Sequence, residues 1–238
     1  MFCIEIFMPV ISFISPKGGV GKTTAATLLA TQLARGADVI VIDADPNRPI
    51  DTWAKMAGKP DRLTIIADAN QENIIDRIDE AAAQAPFVIV DCEGTASLTV
   101  AYAIGASDLV IVPTQGSQLD ARQAARALGL VKNAEKQARR KIINVVLLTR
   151  TSPAIRPRTL GHVQDQLTEH GVRMLETQLN EREAFRAMFS FGGALENLDP
   201  AGVGNLEKAI LNARAFAGEV LSLLKPAAKK AGTAAEVA

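Results

Sequence analysis

The sequence predicts an α/β fold, a doubly wound, mostly parallel sheet with helices on both faces. Three observations carry that prediction. Apolar runs at residues 10–14, 39–42, 87–90, 109–112 and 142–148 alternate with stretches of helical pattern. Most of these runs are apolar throughout, as strands buried on both faces are. Two of them close on an aspartate, Asp43 and Asp91, and the first leads through a glycine-rich segment into a helix. Ligands in such sheets bind beyond the carboxyl ends of the strands.

Length and composition bound the rest. At 238 residues and 48% hydrophobic, the chain suits one globular domain, expected over residues 1–225. Residues 1–7 read as an upstream-start extension, because Met8-Pro9-Val10 is an equally good beginning. Residues 226–238, rich in Ala and Lys, read as a flexible tail. Cys3 and Cys92 make no disulfide framework, and no apolar run approaches the ~20 residues that span a bilayer. The expected compartment is the cytoplasm. Charge is balanced but uneven: residues 38–93 hold 12 acids and 5 bases, net −7, while residues 122–158 hold 10 bases and Glu135, net +9. Such a block is a solvated face or a polyanion surface, with Arg139, Arg140 and Lys141 the candidate DNA contacts.

In chain order, strand 10–14 meets Ser15-Pro16-Lys17-Gly18-Gly19-Val20-Gly21-Lys22-Thr23-Thr24 and then a helix to about residue 34, ended by Gly36 as C-cap. Strand, glycine loop and helix is the context of a phosphate-binding loop. Glycines let amides turn onto an anion, Lys22 reaches the β- and γ-phosphates, and Thr23 can ligate Mg²⁺. The second strand, 39–42, ends in Asp43-Ala44-Asp45-Pro46, where Asp43 and Asp45 could orient water and the Mg²⁺ shell, or merely form a turn. A helix carrying Trp53, a strand at 63–67 and a helix at 71–83 follow. Four apolar residues closed by Asp91 then give the Walker B form, in which the aspartate holds the Mg²⁺ shell. A strand at 109–112, a long helix at 119–137, the strand at 142–148, a helix at 158–169, a last strand at 174–177 and a helix at 204–224 complete the reading.

The form Lys17-Gly18-Gly19-Val20-Gly21-Lys22-Thr23-Thr24, with Pro16 where the common motif has its first glycine, resembles the deviant Walker ATPases of the ParA and MinD superfamily. The resemblance implies a P-loop fold that binds ATP and Mg²⁺, with Lys17 crossing a nucleotide-sandwich homodimer. It implies base contacts from Thr149 and Arg150, and a loop at 180–185 over the base. Cys92-Glu93-Gly94 departs from the residues many members carry after the Walker B aspartate, so no switch role is carried onto Glu93. Residues 43–53 and 181–188 are also similar to the ParA-like accessory ATPases of conjugative DNA transfer, the Vir type.

Three functions compete. The first is a small ParA-type switch: ATP closes a dimer, the dimer binds DNA non-specifically, and a ParB-like or relaxosome-type partner stimulates slow hydrolysis. Such a protein would be nucleoid-associated. The second is a MinD-like membrane-associated regulator, disfavoured because Leu221, Leu223 and Leu224 give way to Lys225 and Pro226 with no apolar face beyond. The third is a metabolic P-loop enzyme, which would leave Lys17 without a role.

Overall fold

In a computed structural model, residues 8–94, 96–152 and 158–225 are described. The expected extension at 1–7 and the tail at 226–238 lie outside them. Among the described residues seven strands, β1 (Val10–Phe13), β2 (Val39–Ala44), β3 (Leu63–Ile66), β4 (Phe87–Cys92), β5 (Leu109–Thr114), β6 (Ile143–Thr151) and β7 (Leu179–Asn180), form one sheet in the order β3-β2-β4-β1-β5-β6-β7. Each neighbouring pair is parallel, as the uninterrupted apolar runs require. The α/β, doubly wound P-loop architecture is therefore the fold of this chain.

Among the described residues eight α-helices cover it: α1 (Lys22–Leu33), α2 (Pro49–Ala54), α3 (Ile74–Ala82), α4 (Leu98–Ala106), α5 (Gln118–Ala138), α6 (Arg158–Glu169), α7 (Glu183–Phe191) and α8 (Leu206–Leu224). Alternation along the strands splits the core in two. Ile11, Phe13, Val41 and Ile89 face α1, α2, α7 and α8, whereas Val10, Ile42, Val88 and Val90 face α3, α4, α5 and α6. The sheet order also sorts charge. The acidic stretch supplies β3, β2 and β4 on one side of β1; the basic stretch supplies α5 and β6 on the other.

Several expectations change. Gly36 is not in the left-handed region; α1 ends through Ala34, and Gly36 and Ala37 amides both donate to Leu33 O. The last strand is β7 rather than residues 174–177, of which Met174 makes only an isolated bridge to Val146. Register against β6 decides this, because β6 shifts between Thr149 and Thr151 and offers its ladder only to Leu179 and Asn180. Helices α4 and α7 are additions. Among the described residues no helix is long and apolar enough to cross a membrane.

Candidate nucleotide site

The glycine-rich loop lies between β1 and α1 at the carboxyl edge of the sheet. Gly19 (φ 73°) and Gly21 (φ 94°) take left-handed backbone, which β-carbons disfavour, and Gly21 is the N-cap of α1. Among the described residues, no protein acceptor takes the amides of Gly18 through Gly21. Free amides at a helix N-terminus form an anion cradle. Lys22 stands at its base, 7% exposed. Gly94, two residues past the end of β4, closes the cradle, so near that a Cβ there would fall 3.2 Å from Gly18 N and 3.4 Å from Lys22 Nζ.

Pairing of β2 with β4 sets Asp43 beside Asp91, although 48 positions separate them in sequence. Thr23 Oγ1 donates to Asp91 Oδ2 at 2.7 Å, and Asp43 Oδ2 accepts the Ile50 and Asp51 amides at 2.8 and 2.9 Å. Among the described residues, the other oxygen of each aspartate is buried without a partner. Burial pushes Asp91 up to about 7 and raises Asp43 as well. Two unsatisfied carboxylate oxygens beside a hydroxyl and an anion cradle are a hard-cation environment. The residues thus fit Mg²⁺: Thr23, Asp91 and Asp43 would hold its shell, and the ion would neutralise phosphate charge. Asp45 Oδ1 accepts the Asn47 backbone and side-chain amides at 2.9 and 3.0 Å, so part of it serves the turn.

Lys17 does not point to solvent unattended. Its Nζ donates to Asp120 Oδ1 at 2.6 Å, in the first turn of α5, and the Ser117 hydroxyl donates to the other oxygen. Burial raises the Asp120 carboxyl, but Lys17 and Ser117 outweigh it and hold it below its ordinary value. Asp120 was not singled out in the sequence; an acid opening a helix just past a parallel strand was the available signal.

Thr149 and Arg150, at the end of β6, line a cavity of about 240 Å³ with Gly21, Thr24, Leu179 and Phe185. It continues directly from the cradle through Gly21 and Thr24. Apolar walls next to a phosphate cradle suit a nucleotide base, and the 180–185 segment borders it as expected. Phe185 lies within that segment, whereas Phe189 was missed, because α7 reads as a charged loop. Arg139, Arg140 and Lys141 are not part of this site. They lie where α5 ends and β6 begins, at the opposite edge of the sheet. There they line a groove with Lys132, Lys136 and Glu135. Arg140 is committed locally, donating to Gly105 O and Ser107 O at 2.8 and 2.7 Å at the end of α4.

Comparison with known proteins decides the family. The VirC1 protein family matches residues 8–214, most of the chain and all of the site. The chain belongs to the VirC1 family. Protein ParA of Rhizobium radiobacter is 39% identical over 221 residues, covering 92% of this chain and 99% of the relative. Protein virC1 of the same organism is 29% identical over 187 residues, 76% of this chain and 80% of that one. The Cyanothece McdA(D38A)–ATP complex shares the fold, with TM-score 0.72, 18% identity and coverage of 91% and 96%. The resemblance to the ParA and MinD superfamily is borne out: this VirC1-family chain is a ParA-type ATPase, and the McdA likeness shows the fold.

Proposed function

We propose that this VirC1-family ATPase is a slow, ATP-driven dimerisation switch that binds DNA without sequence preference and positions DNA or another cargo. The observation that carries the reading is the Lys17–Asp120 pair beside the cradle. Lys22 already serves the chain's own phosphates, so a second lysine at the mouth of the site is available for a phosphate bound by a second copy. In the single chain Asp120 holds it. A bound nucleotide on the facing copy would compete with Asp120 for the ammonium and join the two.

Within each subunit the free amides and Lys22 bind the phosphates, Thr23, Asp91 and Asp43 hold the Mg²⁺ shell, and Asp45 orients water. The McdA complex was solved with ATP, which supports ATP as the nucleotide here. Two copies present two basic grooves lined by Lys132, Lys136, Arg139 and Lys141, so DNA affinity rises with dimerisation through effective concentration. Neutralised phosphates release counterions, with an expected log–log salt slope of roughly −0.9 per contact. A ParB-like or relaxosome-type partner would stimulate hydrolysis and release the DNA.

Sedimentation of the chain and of Lys17→Ala, each with ATP and Mg²⁺, tests the reading alongside gel shifts on random duplex. The unaltered chain should dimerise and retard DNA at low salt; Lys17→Ala should bind ATP as a monomer. Normal dimerisation of Lys17→Ala would refute the bridging role. A demonstrated dimer that ignores DNA would leave the basic groove a solvated face.

A further inference from the structure

The loop carbonyls, rather than its amides, reveal how the cradle is aimed. A planar trans peptide sets the C=O of one residue and the N–H of the next on opposite sides. Whatever fixes a loop carbonyl therefore aims the following amide the other way. Gly19 O accepts the Gln115 side-chain amide at 3.2 Å, and Val20 O accepts the Thr149 hydroxyl at 2.7 Å. The amides so turned are those of Val20 and Gly21, two of the donors left without a protein acceptor among the described residues. Both pinning side chains come from outside the loop, one just beyond β5 and one within β6.

Thr149 is the stronger of the two. It is 3% exposed, and its hydroxyl also approaches Thr114 O at 3.3 Å, which fixes it to the end of β5. A Cβ at Gly21 would fall 3.6 Å from its side chain, which places Thr149 directly beside the loop. With its single donor directed at backbone carbonyls, the hydroxyl has none left to give a base. We infer that Thr149, assisted by Gln115, is a positioning residue that aims the Val20 and Gly21 amides at a bound phosphate. This rests on the nucleotide reading above.

The consequence is specific to phosphate. Thr149→Val keeps shape and removes the donor, leaving Val20 O buried and unpaired, whereas Thr149→Ser keeps the donor. Calorimetry on the full chain with Mg²⁺ would compare ATP with inorganic tripolyphosphate, which carries phosphates and no base. Thr149→Val should weaken both ligands alike, by about 10-fold, on the usual cost of an unmade buried hydrogen bond. Thr149→Ser should stay within about 3-fold of the unaltered chain, and Gln115→Leu, at a half-buried position, should lose about 3-fold for both ligands. Unaltered ATP affinity in both Thr149→Val and Gln115→Leu would overturn the inference. So would a loss confined to ATP, which would make Thr149 a base contact. If the unaltered chain bound neither ligand, the nucleotide reading itself would fall, and the aiming role with it.

Discussion

Asp91 should make this protein less stable as pH rises through neutrality, and Asp91→Asn should remove that dependence. The side chain is fully buried, with Oδ2 accepting from Thr23 and Oδ1 without a partner among the described residues. Burial lifts its pKa from 3.8 to about 7. An acid whose folded pKa is raised binds protons more tightly folded than unfolded, so stability falls as pH climbs between the two values and levels off above the higher. At about 1.4 kcal/mol per pH unit, the charged form costs roughly 4 kcal/mol above pH 7 and under about 2 kcal/mol at pH 5. Asparagine keeps the Thr23 contact and carries no charge. Urea unfolding without nucleotide, at pH 5, 6, 7 and 8, should show Asp91→Asn gaining on the unaltered chain by roughly 2–3 kcal/mol across the series. A difference constant with pH would refute the reasoning, since it would mean that Asp91 does not titrate in that window. With ATP and Mg²⁺ the order should reverse, because only the carboxylate can hold the ion's shell and gain the linked stabilisation.

Other residues separate the remaining functions. Lys22→Ala removes the buried ammonium from the cradle and should abolish ATP binding by calorimetry; wild-type affinity would refute the phosphate-loop reading. Asp45→Ala should still bind ATP and Mg²⁺ but turn over slowly and accumulate as a dimer, read by phosphate release and sedimentation. Arg140→Ala should destabilise the fold by about 1–2 kcal/mol in urea by uncapping α4, while leaving DNA affinity within about twofold. Reversing Lys136 and Arg139 together should flatten the salt slope of DNA binding in gel shifts.

What the sequence alone determined is the part of the site built from neighbours in the chain. Strand, glycine loop and helix occur within residues 10–33, so residue type and order suffice to place Lys22 and Thr23. A strand that ends in a carboxylate carries its own signal, which is why Asp43 and Asp91 were legible one at a time. Trp53 likewise announced a helix packed against the core, where it is 1% exposed. Helix α4 was not legible because residues 98–106 are apolar on nearly every side and give no period. Helix α7 was not legible because its charged start reads as a loop.

Tertiary structure alone decided who meets whom. The strand order, not the sequence, sets Asp43 against Asp91 and leaves each with one unsatisfied oxygen. Lys17 and Asp120 lie 103 residues apart and meet because β1 and β5 are neighbours whose carboxyl ends share an edge. The same geometry brings Gln115 and Thr149 to the loop carbonyls. It sends Arg139, Arg140 and Lys141 to the far edge, since a helix following a parallel strand must run back to begin the next one. A pattern along the chain fixes faces and ends, while a contact between strands depends on their order in the sheet, which burial of both faces selects only once the whole chain has packed.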